Sequence, residues 1–269
     1  RRVWRFRRRH ERRRRRRPRF LKRRMENMAR IPNQPQDIFV PLTEDWLNAF
    51  GRDLVSLMLY GSAAGGSYVK GKSDINLLVV LTPEGMSRLE DAFAPVKKWR
   101  KRNVAVPLVL TQEFISSSLD AYPIEFLNMQ NHCVLIYGEN VLEPLVFKPE
   151  DLRLQIEREL KSKIILLREG YLESEGSARR VRELIGRSLV ALVSVFNAML
   201  YLKQAGLPRQ KKETIEEAGR VFGVDANVFA RCFEIKAKED HLSGEEVIGV
   251  FKKYLREVEK VCHRIDGLK

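Results

Sequence analysis

Asp74 and Asn76 have the side-chain types and the spacing to offer oxygen ligands to one hard cation. They stand at the entrance to an apolar run, residues 75–81, within the stretch 57–81, LMLYGSAAGGSYVKGKSDINLLVVL. Short apolar runs bounded by Gly and Ser read as buried strands, so residues 57–60 and 75–81 are predicted as two strands joined by a glycine-rich loop. Side chains alternate across a strand, so Asp74 and Asn76 project to one face while Ile75 points the other way into packing. The loop opens with Gly61-Ser62. A glycine there lets backbone N–H groups and a hydroxyl lie against an anion with no Cβ in the way. A phosphate-holding turn beside a pair of hard oxygen ligands is what Mg²⁺-dependent phosphoryl transfer requires.

Gly61-Ser62, then residues 63–73, then Asp74-x-Asn76 on a strand resembles the signature of the DNA polymerase β nucleotidyltransferase superfamily. The similarity is to the small bacterial branch of aminoglycoside adenylyltransferases and minimal nucleotidyltransferases. The resemblance implies that Gly61, Ser62 and Ser73 hold a nucleotide and that Asp74 and Asn76 are the catalytic and metal-binding pair. It also implies an NTP and a hydroxyl acceptor as partners, Mg²⁺ as cofactor and transfer of a nucleoside monophosphate. Two positions depart from the pattern. Asn76 stands where the family has a second Asp, and a neutral amide oxygen replaces a charge. At about 4 Å and an effective dielectric near 20, each unit-charge pair is worth roughly 4 kcal/mol before desolvation, so the change is not small. The third carboxylate is expected on a strand at residues 104–110, which contains no acid; Glu113 and Glu125 are the nearest candidates. A fold of this kind that binds a nucleotide or a partner and does no chemistry is the alternative.

The chain has 269 residues and a formal charge of +15, a balance that ordinarily points to nucleic acid. Residues 1–24, however, hold 16 basic residues and one acid, Glu11, so this tail carries the whole imbalance and the body is neutral. Nucleic acid is therefore not indicated for the body. An Arg run such as 12–17 repels itself and is predicted to be disordered. The chain begins with Arg, and Met25 or Met28 would be a natural start, so the expectation is that residues 1–24 are upstream sequence translated in frame; a functional basic arm is the alternative. Cys133, Cys232 and Cys262 lack CxxC or His spacing, which argues for a reducing cytoplasm and against a disulfide framework. The nearly apolar run 189–202 is too short to span a bilayer.

The elements that would position the site follow from periodicity. Residues 31–41 read as an extended lead-in, and Thr43 as the N-cap of a helix to about Phe50, feeding the first strand. A helix is predicted from Pro83 to about Trp99, with Leu89, Phe93 and Val96 on one side, then a basic cluster, Lys97, Lys98, Arg100, Lys101 and Arg102. Residues 113–129 read as helical with Pro123 as a break, and 134–137 as a last strand. Asn131-His132-Cys133 reads as core or edge strand. From Pro149 only helices are expected: about 149–174, 178–204, 212–222, 226–236, and a last one opened by the capping box Ser243-Gly244-Glu245-Glu246. Ser194, Asn197 and Tyr201 share a face of the most apolar helix. This half resembles the helical bundle of kanamycin nucleotidyltransferase and HEPN-type proteins, where the bundle closes the cleft or mediates pairing. The fold class expected is α+β: a nucleotidyltransferase-fold mixed sheet with flanking helices, followed by an all-α bundle. The domains expected are a tail at 1–30, a nucleotidyltransferase-like domain at 31–148 and the bundle at 149–269.

Overall fold

The structure is a computed structural model that describes residues 31–208 and 210–266; the expectations for residues 1–30 lie outside the described residues. The chain divides into two compact units. The first comprises residues up to Gln112 together with Cys133–Asn140, and the second Glu113–His132 together with the chain from Val141.

The first unit is a four-stranded mixed sheet with flanking helices. Strands β1 (Leu54–Tyr60), β2 (Asn76–Leu81), β3 (Leu108–Leu110) and β4 (Cys133–Gly138) lie in the order β3-β2-β1-β4. β1 pairs antiparallel with both β2 and β4, and β2 pairs parallel with β3. Leu57, Leu59, Leu77, Val79 and Leu81 alternate onto one face and form a core with Trp46, Phe50, Ile75, Trp99 and Val104. Helix α1 (Phe39–Phe50) contributes Leu42, Trp46 and Phe50, spaced four apart along one stripe.

α1 starts a turn earlier than Thr43 suggests, and the lead-in is not extended: Pro35–Ile38 forms a 3-10 turn running straight into it. Pro41 is no obstacle because it falls in the first helical turn, where a missing N–H costs nothing. The Thr43 hydroxyl donates to the Phe39 carbonyl at 2.8 Å, a bond within the helix and not a cap. The helix expected over 83–99 is also broken, into α2 (Pro83–Met86), a 3-10 turn at Leu89–Ala92 and α3 (Phe93–Trp99). Pro95 explains the break, since inside a continuous helix its ring would clash with the carbonyl four residues back. Leu89 and Phe93 are consequently 43% and 73% exposed, and Trp99 packs instead, its Nε1 donating to Asp45 Oδ2 at 2.8 Å.

The second unit is helical, with α4 (Gln112–Ser117) at its start, then α5 (Pro123–Asn131), α6 (Pro149–Ser174), α7 (Ala178–Leu202), α8 (Lys211–Phe222), α9 (Ala226–Ala237) and α10 (Gly244–Asp266). The capping box forms as expected: Ser243 N donates to Glu246 Oε2 at 2.7 Å, and Glu246 N to Ser243 Oγ at 3.3 Å. Val247, Phe251, Tyr254, Val258, Val261 and Ile265 of α10 are all buried. By length and composition α7 is long and apolar enough to cross a membrane, yet 56% of its apolar window is buried inside the fold. Its Asn197 donates to Asn128 Oδ1 at 2.8 Å and accepts from Thr214 at 3.1 Å, so this polar group is satisfied within the bundle.

Gly138 and Gly176 share a left-handed backbone, with φ of +78° and +77°, but not the same surroundings. A Cβ at 138 would meet the Val55 carbonyl oxygen at 2.0 Å, and one at 176 would meet nothing within 4 Å. Urea denaturation should therefore show Gly176→Ala costing about 1–2 kcal/mol, the left-handed penalty alone. Gly138→Ala should cost about 3 kcal/mol or more, because backbone must move as well.

Candidate functional site

The two halves of the glycine and Asp-x-Asn pattern meet through strand register. Tyr60, the last residue of β1, pairs with Asn76, the first of β2, so Gly61 follows directly beside Asn76. A Cβ placed on Gly61 would stand 3.4 Å from Asn76 Nδ2. Gly61 has φ +76°, a conformation that costs an L side chain but not glycine. It turns the chain into a 3-10 turn, Gly61–Ala63. The Gly61 carbonyl accepts from Ala64 N and Gly65 N, both at 3.0 Å, and the Ser62 carbonyl from Ser67 N at 3.0 Å. Ser62 is half-buried, and its hydroxyl makes no hydrogen bond to another described residue.

Asp74 is exposed and Asn76 half-buried, and among the described residues neither side chain has a hydrogen-bond or ion-pair partner. Both are therefore free to receive a ligand. Ser73 is more constrained: its Oγ accepts from Val69 N at 3.0 Å, and its own N–H donates to the Val69 carbonyl at 2.9 Å, closing a small loop. The carbonyl of Ser73 accepts from Asn103 Nδ2 at 2.7 Å, and Ile75 N donates to the Asn103 carbonyl at 3.1 Å. Asn103 was not singled out from the sequence. The available signal was an Asn just after a basic helix end, where a left-handed cap is common; its φ is +66°.

β3 is shorter than the expected 104–110 strand. Ile75 bridges Val104 and Leu78 pairs with Leu108, so three steps along β2 match four on the other side. The extra residue makes a bulge at residues 105–107, alongside Asn76. Val106 in that bulge is 64% exposed, and Pro107 follows it, so an apolar side chain stands where a carboxylate was sought. Glu113 lies in the first turn of α4 and Glu125 in that of α5, both in the second unit. Glu125 Oε2 accepts from Gln155 Nε2 at 2.7 Å. No group of three or more His, Cys, Asp or Glu placed to hold a metal occurs among the described residues. The oxygen donors that Asp74 and Asn76 offer are thus one carboxylate and one amide oxygen. They suit a single Mg²⁺ that takes its other ligands from phosphates and water, and do not suit a pair of ions caged by three carboxylates.

The loop lysines divide. Lys70 donates to Asn33 Oδ1 at 2.7 Å, and the Tyr68 hydroxyl donates to the Pro32 carbonyl at 3.0 Å, so the lead-in is fastened to the loop. Lys72 is exposed. In the basic cluster, Lys98 pairs with Asp45 at 2.6 Å, and Arg102 lies over the Trp99 ring at 5.0 Å, as in a solvated helix end. Cys133 opens β4 opposite Tyr60, an edge-strand position. Burial pushes the Cys232 thiol up to about 12, which leaves it unreactive.

Because the space around Gly61 is adequate and only its φ is special, Gly61→Ala should lower stability by about 1–2 kcal/mol and leave the protein folded. Urea denaturation with circular dichroism checks both expectations.

No family model matches the chain, and no curated protein matches it. Among solved structures the chain is similar to a spectinomycin adenyltransferase from Enterococcus faecialis, solved with ATP and spectinomycin. The two are 13% identical, the match covers 84% of this chain and 100% of that one, and the TM-score is 0.48.

Proposed function

We propose that this chain transfers a nucleoside monophosphate from an NTP to a hydroxyl acceptor, with Mg²⁺ as cofactor. One observation carries the reading: the Tyr60↔Asn76 pairing puts the Gly61 turn and the Asp74-x-Asn76 oxygens at one end of one hairpin. Asp74 and Asn76 would hold Mg²⁺, which when bound supplies positive charge against the phosphates and the leaving pyrophosphate. The N–H groups at the start of the Gly61–Ala63 turn and the Ser62 hydroxyl bind and orient the triphosphate. Ser73 keeps its hydroxyl hydrogen to donate, while Val69 N holds the oxygen in place.

In the reaction the acceptor oxygen bonds to the α-phosphorus, the bond from that phosphorus to the bridging oxygen breaks, and pyrophosphate leaves with the electron pair. The acceptor's proton passes to a base. Glu113 is exposed and has no partner among the described residues, whereas the carboxylate of Glu125 is engaged by Gln155. The acceptor is a small molecule, nucleic acid or protein. We place the protein in the cytoplasm, since none of its three cysteines is in a disulfide.

A second reading is favoured by the exposed Val106 and the acid-free 104–110 stretch: a fold of this kind that binds a nucleotide or partner and does no chemistry. Thermal-shift titration with each NTP, with and without Mg²⁺, tests the nucleotide site. Binding at a hundredfold excess over Kd adds about 2.7 kcal/mol, so one NTP should raise Tm by roughly 5–10 °C with Mg²⁺. Asp74→Ala should abolish the shift. If no NTP shifts Tm in any condition, the metal and nucleotide roles are wrong. Asn76→Asp separates the two readings. An enzyme keeps or loses turnover, read as pyrophosphate release, whereas an inactive fold gains Mg²⁺ affinity with no turnover.

A further inference from the structure

We propose that Asn103 is a positioning residue that sets the direction of the Asp74 carboxylate, an inference that rests on the nucleotide-site reading above. The Asp74 side chain is exposed and touches no hydrogen-bonding partner among the described residues, so its Cα–Cβ direction, and with it the arc the carboxylate can reach, is set by its backbone alone. That backbone has two soft angles, φ and ψ, each lying between Cα and a rigid peptide plane. Asn103 grips both planes. Its Nδ2 donates to the Ser73 carbonyl at 2.7 Å, in the peptide before Asp74, and its own carbonyl accepts from Ile75 N at 3.1 Å, in the peptide after it. With both planes fixed to one residue, φ and ψ of Asp74 have little freedom left. The clamp continues into the sheet, since Ile75 O accepts from Ala105 N at 2.9 Å.

Asn suits the position for two reasons. Asn103 has φ +66° and ψ 24° at the end of the 3-10 turn Arg100–Arg102, a left-handed conformation that Asn tolerates better than most residues. Its amide also supplies an N–H donor that Asp, the nearest isostere, lacks. The segment that contributes no carboxylate to the site thus contributes the group that aims the one carboxylate present.

The substitutions follow from this division of labour. Asn103→Gly keeps the left-handed backbone and removes only the donor, and Asn103→Asp keeps the shape and sets a carboxylate against the Ser73 carbonyl. The probes are Mn²⁺ alone and the four NTPs, each in Mg²⁺ and in EDTA, by isothermal titration. Amide hydrogen exchange at residues 73–76 is measured on the ligand-free proteins. In Asn103→Gly, exchange at Ile75 should rise about tenfold while Leu57 and Leu59 amides stay protected. Affinity for Mn²⁺ and for the Mg²⁺-bound NTP should fall about tenfold, and affinity in EDTA should not change. Asn103→Asp should lose more.

Unchanged Mg²⁺-dependent affinity in Asn103→Gly, or an equal loss with and without metal, overturns the positioning role while the nucleotide site stands. If the wild type binds neither Mn²⁺ nor any NTP, the site reading fails instead. Exchange at Ile75 then still decides the clamp: unchanged exchange in Asn103→Gly refutes it, and accelerated exchange upholds it.

Discussion

The antiparallel pairing of β1 with β2, fixed at Tyr60↔Asn76, is the constraint on which the rest depends. Side chains alternate with a period of two, so a slip of one residue would exchange Leu77, Val79 and Leu81 for Leu78 and Val80, which are buried on the other face, and turn Asn76 to the opposite face. Close packing on both faces of the hairpin therefore holds the site geometry. Leu57, Leu59, Leu77, Val79 and Leu81 each have 1% or less of their surface exposed, and that burial holds the register against any local preference of the loop. Gly61 then needs only one unusual angle to bring the turn beside Asn76.

The site itself is sparing with charge. Asp74 supplies one carboxylate and Asn76 a neutral oxygen, and the bulge at residues 105–107 carries an exposed Val and no acid. With so few charged donors, the direction of each matters more, because no second carboxylate compensates for a misaligned first. Ser73 and Asn103 fit that requirement, tying the residues around Asp74 to Val69 on one side and to the end of the Arg100–Arg102 turn on the other. The body is neutral in sum, so net charge alone does not draw a phosphate-bearing ligand to it, and specificity rests on local geometry.

Much of this was legible in the sequence where the signal was local and repetitive. The strands of the hairpin showed as apolar runs, and α6 and α10 showed as stripes at three- and four-residue spacing, with the Ser243 capping box marking the start of α10 to the residue. The misreadings came where a proline was weighed by type without its position. Pro41 sits harmlessly in the first turn of α1, while Pro95 divides a segment whose periodicity looks continuous. Asn103 was illegible for a different reason: it acts on a residue 30 positions earlier in the chain, and no local pattern encodes a contact between two turns that far apart. The missing third carboxylate was visible as an acid-free stretch, but the bulge at residues 105–107 was not.

The most direct test is a crystal of residues 25–269 grown with a non-hydrolysable NTP and Mn²⁺, with the metal located by anomalous scattering. The account predicts one Mn²⁺ peak about 2.1–2.3 Å from an Asp74 carboxylate oxygen, shared with phosphate oxygens that lie against the Gly61-Ser62 turn. A nucleotide bound with no metal at Asp74, or ordered elsewhere on the chain, would contradict it.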